Sequence, residues 1–200
     1  MSVPAATPAR GRPRSSEADA AIVRATLETL VEEGYRALSV ERVARRAGVG
    51  KATIYRRHRT KQDLVAAAVV HLHAGLQVPE DQGSLRDDMR AVTGQAARAG
   101  ATTQALTFMP RMLAEASSDP EVHAIFTENL VNPRREVVKA LVRRAIARGE
   151  VHEDTDLEVA VDLLAGPMVY RLLLGGMDLP ALAAHNDAVT QTALDGLRPR

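Results

Sequence analysis

Apolar residues recur along this chain with a helical period almost from end to end. Ile22, Val23, Thr26, Leu27, Leu30 and Val31 fall three and four residues apart and Gly34 follows them. That pattern predicts a first helix beginning near Ser16 and stopping at the glycine. Ser39 stands where an N-cap belongs, and Val40, Val43, Ala44 and Ala47 give one apolar face to a short second helix ended by Gly48. Val49 plugs the turn. A third helix is predicted from about Lys51 to Arg57, and Thr60 is placed to cap a fourth running from Lys61 through Leu64, Ala68 and Val69 towards Leu76. Residues 79–83, Pro-Glu-Asp-Gln-Gly, interrupt the pattern and read as a linker between modules. Beyond them helices are predicted at about 84–99, 102–117, 120–149 with a break or bend at Pro133, 155–174 and 181–197. The expected fold class is all-α.

Composition agrees, with 46% hydrophobic residues, 2% aromatics and abundant Ala, Leu and Val. Residues 1–15, with Pro4, Pro8, Gly11 and Pro13 among small and basic residues, have little to bury and read as a flexible arm. Three modules follow: the arm at 1–15, a head at 16–78 that includes the fourth helix, and a helical body at 84–200. The net charge of +1 conceals an asymmetry, since residues 1–61 carry 13 Lys or Arg against 6 Asp or Glu, and the remainder 13 against 19. A basic head points to a polyanion partner for that part alone. The chain has no cysteine, which removes disulfides, thiolate metal sites and thiol nucleophiles. No secretion signal is expected, and the most apolar stretch, 157–174, is interrupted by Asp162 and Arg171, so the expected location is the cytoplasm.

A helix-turn-helix needs a small residue where two helices nearly touch, a backbone that reverses sharply, and a branched apolar residue pinning the second helix. Ala44, Gly48 and Ile54 supply these at the required spacing, with Val43 and Val49 beside them. The second helix of the pair then offers Lys51, Ala52, Thr53, Tyr55, Arg56 and Arg57, a run rich in donors for phosphates and base edges. Ala52 and Thr53 are small enough to let it enter a major groove. Arg10, Arg12 and Arg14 in the arm suit a narrow minor groove, and a solubilising tail is the other reading.

The segment 39–57, Ser-Val-Glu-Arg-Val-Ala-Arg-Arg-Ala-Gly-Val-Gly-Lys-Ala-Thr-Ile-Tyr-Arg-Arg, followed by Thr60 and Lys61, resembles the N-terminal domain of the TetR/AcrR family of bacterial transcriptional regulators. By that resemblance Ser39 and Tyr55 would contact phosphates, Lys51, Thr53 and Arg57 would face the groove, and Lys61 would bind the backbone. The family usually has an aromatic where this chain has His58. Residues 143–150 and 163–174 resemble one subgroup of the family's regulatory domains. The fold so implied is an N-terminal three-helix DNA-binding domain followed by a C-terminal helical domain for ligand binding and dimerisation.

The predicted helix at 155–174 is apolar on more faces than one stripe can hold, so a partner must cover the excess. With the helix at 181–197 it is expected to form a homodimer interface. Met89, Phe108, Met109, Met112, His123, Phe126 and Met168 are candidates for an effector pocket, with Met and Phe as adaptable walls and His123 as a polar handle. No metal or other cofactor is expected, because His71 and His73 point to different sides of a helix and lack a ligand four residues on. Ser117 and Ser118 sit in no nucleophile elbow, which leaves an enzyme without a catalytic constellation. Two readings stay open: a homodimeric repressor released from a palindromic DNA operator by a small hydrophobic effector, and a constitutive DNA-binding dimer without one. Repression rather than activation is implied by the resemblance alone.

Overall fold

A computed structural model describes residues 13–72, 76–98, 103–174 and 179–197. Every regular element among them is helical: α1 (Pro13–Glu33), α2 (Val40–Ala47), α3 (Lys51–Tyr55), α4 (Lys61–Leu72), α5 (Leu85–Arg98), α6 (Thr103–Ala116), α7 (Pro120–Phe126), a π turn over Thr127–Val131, α8 (Asn132–Ala147), α9 (Leu157–Leu174) and α10 (Leu179–Leu197). The chain divides into two compact units between Ala68 and Val69, inside α4. Helix one starts at Pro13 rather than near Ser16, because proline's fixed φ suits the first turn and its missing N–H is not needed there. The fourth helix ends at Leu72, short of Leu76.

In the first unit α1 packs on α2 and α2 on α3. Its buried side chains include Ile22, Leu30, Tyr35, Leu38, Val43, Ile54, Leu64 and Val65. Thr26 and Thr29 are also buried, and their hydroxyls donate to the Ile22 and Ala25 carbonyls at 2.8 and 2.7 Å, so no polar group is stranded. The Arg46 guanidinium reaches Glu28 and Glu32, fastening α2 to α1.

The second unit centres on α5, α8, α9 and α10. Leu85, Met89, Leu141, Val142, Ala145, Ala160, Val161 and Leu164 form its core. Ser84 caps α5, accepting from the Asp87 N–H at 3.1 Å while its hydroxyl donates to Asp87 at 2.7 Å. Arg135 and Lys139 on α8 meet Glu158 on α9, and Arg135 also meets Asp162.

The segment 79–83, expected to be a linker, is fixed. Pro79 is buried and its carbonyl accepts from Arg144 at 2.9 Å. Asp81 pairs with Arg148 at 2.7 Å, and the Gln82 N–H donates to the fully buried Asp88 at 3.0 Å. Proline and glycine report where the backbone turns, not whether other elements hold it. The long helix predicted at 120–149 is likewise divided, but ahead of the proline. Pro133 has no N–H to continue the ladder, and the chain meets this with a π turn in which the Asn132 N–H reaches back to the Thr127 carbonyl.

Candidate nucleic-acid interface

The turn between α2 and α3 is built as its residue types require. The Ser39 hydroxyl accepts from the Arg42 N–H at 3.2 Å and caps α2. Gly48 closes the helix at φ 67°, the left-handed conformation that costs a β-carbon about 1–2 kcal/mol. The Val49 N–H returns to the Ala44 carbonyl at 3.0 Å, which aims the chain into α3. Ile54 on α3 is fully buried and holds the helix to its unit.

With Ile54 inward, Lys51, Ala52, Tyr55 and Arg56 come to the surface, Tyr55 at 48% exposure, and Thr53 is half-buried beside them. Lys51 rests against Glu41 at 2.9 Å, and that ammonium holds the Glu41 carboxyl below its ordinary pKa. The pair is exposed on both sides, so a phosphate can replace the carboxylate at little cost. At the start of α4 the Thr60 hydroxyl accepts from the Asp63 N–H, and the Asp63 carboxylate accepts from the N–H groups of Thr60 and Arg59. The Thr60 bonds are the main reason that Asp63 titrates below its usual range. Lys61 then lies with its ammonium 3.9 Å from the centre of the Tyr35 ring, a cation–π contact that fixes its direction. Ser39 is half-buried, and its hydroxyl oxygen serves the cap as an acceptor, a role that does not use its O–H donor.

Arg57 departs from expectation. Its guanidinium is 18% exposed, pairs with Asp19 of α1 and donates to the Thr53 carbonyl at 3.0 Å. It ties α3 back to α1 instead of facing a groove, because position 57 lies three residues after the buried Ile54, about 60° from it around a helix, and so leaves on the inner side. His58 beside it is half-buried, and burial lowers its pKa, so it packs as a neutral ring where the family has an aromatic. Arg45, in the last turn of α2, is exposed; sequence reasoning passed over it because a basic residue there also suits the helix dipole. Arg10 and Arg12 lie outside the described residues. Arg14 falls in the first turn of α1, with its side chain likewise outside the description.

The pocket candidates scatter. Met89, Phe108, Met112 and Phe126 are all buried, and Met89 belongs to the packed core of the second unit. Met168 is half-buried, and the Met109 side chain is outside the described residues. His123 is exposed, since Val122, Ile125 and Phe126 take the inner face of α7 and position 123 falls about 100° from Val122. It is no polar handle in a pocket. A cleft of about 170 Å³ between α5 and α10 is lined by Arg86, Arg90, Thr93, Gly94, Asn186, Asp187 and Thr190, none of them among the candidates. Arg86 and Arg90 both clasp Asp187, holding its carboxyl far below the ordinary carboxylate range. No group of His, Cys, Asp and Glu among the described residues is arranged to hold a metal ion. No described helix is long and apolar enough to cross a membrane.

A capped helix, a left-handed glycine, a short donor-bearing helix pinned by one isoleucine, and a separate helical body together define a helix-turn-helix DNA-binding regulator. Residues 22–68 match the model of bacterial regulatory proteins of the tetR family, and residues 79–191 that of a tetracyclin repressor-like C-terminal domain. The chain is 32% identical over 168 residues to an uncharacterized HTH-type transcriptional regulator, YdeS, of Bacillus subtilis, covering 84% of each chain. It is 33% identical over 171 residues to the DNA-binding transcriptional repressor TetR of Mycobacteroides abscessus, covering 84% of this chain and 86% of that one. Among solved structures, the TetR family transcription regulator SCO0332 superposes with a TM-score of 0.67 at 28% identity, over 92% of this chain and 100% of the other. The chain belongs to the TetR family of bacterial transcriptional regulators.

Proposed function

We propose that the protein is a repressor that binds a near-palindromic DNA operator as a homodimer and is released from it by a small effector held in the second unit. The observation that carries the reading is the outward face of α3, where Lys51, Tyr55 and Arg56 are exposed around a buried Ile54. In this reading Lys51, Ala52 and Thr53 enter the major groove, while Ser39, Tyr55, Arg56 and Lys61 hold phosphates. Arg45 joins them as a further phosphate donor, and Arg10, Arg12 and Arg14 reach the adjacent minor groove. Repression is supported by the name of the Mycobacteroides abscessus relative.

One short helix reads few bases, so specificity requires two heads about 34 Å apart on successive major grooves. Dimerisation is supported by α9, where Val159, Leu163 and Tyr170 remain 53%, 46% and 59% exposed on a single stripe completed by Gly166. Neighbouring α10 presents Ala184, Ala188 and Thr192, small residues that permit close helix approach. Leu163→Glu is expected to yield monomers in sedimentation and to lose cooperative operator binding; a dimer of unchanged strength would place the interface elsewhere.

The interface is tested by selecting bound DNA from random duplexes and titrating variants against the selected site. Lys51→Ala and Tyr55→Ala are each expected to weaken binding by about 5- to 150-fold, equivalent to about 1–3 kcal/mol, with thermal unfolding nearly unchanged. Wild-type affinity in both variants would reject the face. The alternative, a constitutive dimer without effector, is favoured by the dense packing around Met89. A compound that lowers operator affinity, and is itself bound more weakly in the presence of operator by the same factor, decides for release.

A further inference from the structure

Arg134 is unlike the arginines around it. Arg86, Arg90, Arg135, Arg144 and Arg148 of the second unit each meet a carboxylate. Arg134 meets none among the described residues, and its Nε is closed off from solvent with no hydrogen-bond acceptor. Its position explains why the side chain is half-buried. Leu130, Arg134, Val138, Leu141 and Ala145 follow one another at four, four, three and four residues, and the other four are all buried. The π turn over Thr127–Val131 sets this phase, since it brings Leu130 inward immediately before α8 begins. Such turns occur frequently at functional sites. Arg135, one residue on, leaves in another direction to Glu158 and Asp162.

Burial lowers the pKa of Arg134 from the usual guanidinium value, with no anion opposing the shift. A guanidinium nonetheless keeps its proton in any ordinary buffer, so the fold holds on this apolar line a half-buried cation whose Nε is closed off without an acceptor. The closed-off Nε–H stays unsatisfied until an acceptor reaches it. The basic–acidic asymmetry sharpens the point, because this part of the chain carries surplus carboxylates and assigns none of the described ones to Arg134.

We propose that Arg134 is the charge anchor of the effector site, and that the effector is an amphipathic organic acid. Its carboxylate pairs with the guanidinium, which accepts a planar two-oxygen partner through parallel N–H donors. Its apolar remainder lies along the aliphatic side chains of the second unit. The proposal rests on the reading of that unit as effector-binding and adds the chemical class.

Thermal unfolding of the full chain with decanoate and 4-phenylbutyrate, each beside its own amide, tests it. The acids are expected to raise the melting temperature of the wild type and to release selected operator DNA. The amides, of nearly the same shape but uncharged, should bind at least about tenfold more weakly. Arg134→Met should melt at or above the ligand-free wild type, bind operator normally and lose the preference for the acids. Arg134→Lys, which keeps the charge but not the fork, should retain a reduced preference. Equal binding of acid and amide by the wild type, or a lower ligand-free melting temperature in Arg134→Met, overturns the anchor while leaving an effector site standing. No shift with any of the four compounds overturns the amphipathic acid as effector, while the release test with other compounds still decides whether the second unit holds an effector at all.

Discussion

Ile54→Asp is expected to unfold the first unit and abolish DNA binding. Ile54 is fully buried on a helix of five residues, too short to persist without its tertiary contact. Losing the burial of its side chain costs about 1.5–3 kcal/mol, and leaving a polar group without a partner costs about 2–7 kcal/mol more. A compact unit that ends at Ala68 has little reserve against such a change. Limited proteolysis should therefore cut the chain before Ala68 while the second unit resists. Ile54→Val is the control, expected to cost about 0.5–1.5 kcal/mol and to keep the operator contact. Native digestion patterns and wild-type DNA binding in Ile54→Asp would show that α3 is not pinned through this residue.

That prediction was available from sequence because the head is made of local relations. Ala44, Gly48 and Ile54 lie within eleven positions, Ser39 caps the helix it precedes, and each residue type has one geometric task. The donor face followed from the same spacing. Arg57 did not, since its partner Asp19 stands nearly forty residues earlier. A helix continued through position 57 already places that side chain about 60° from the buried Ile54, on the inner side, which a choice of donors by residue type overlooks.

In the second unit local patterns located the helices but not their relations. The surplus apolar faces of α9 were legible, and Val159, Leu163, Val169 and Tyr170 are indeed exposed. The pocket list chose residues by type, and His123 shows the weakness of that choice, because one position along α7 separates a buried valine from an exposed histidine. The π turn before Pro133 shifts the phase again, so Arg134 carried no sequence signal of burial: beside Arg135 it reads as half of a solvated basic pair. Residues 79–83 looked loose because their anchors, Arg144 and Arg148, stand more than sixty positions away.

Those anchors meet at Asp88, and Asp88→Ala is expected to have the largest effect of any substitution in the second unit. Asp88 is fully buried and accepts from Arg144 and Arg148, each at 3.1 Å, and from the Gln82 N–H at 3.0 Å. The substitution leaves two guanidinium groups of about one-fifth exposure facing the space of a lost carboxylate, with an unpaired backbone donor beside them. Breaking a buried pair in this way costs about 3–5 kcal/mol. The neighbouring Arg90–Asp87 pair supplies the contrast, since both side chains are about half exposed and solvent screening leaves little to lose through that contact when Asp87 is removed. Asp88→Asn keeps acceptors for the Gln82 N–H and one arginine but not the charge, and should fall between the two. Chemical denaturation of the three variants measures the order directly. Because Asp88 also fixes residues 79–83 to α5 and α8, amide exchange at Gln82 should accelerate in Asp88→Ala before global unfolding does. Equal stability of Asp88→Ala and Asp87→Ala would mean that water reaches the clamp and that the two arginines do not depend on the buried carboxylate.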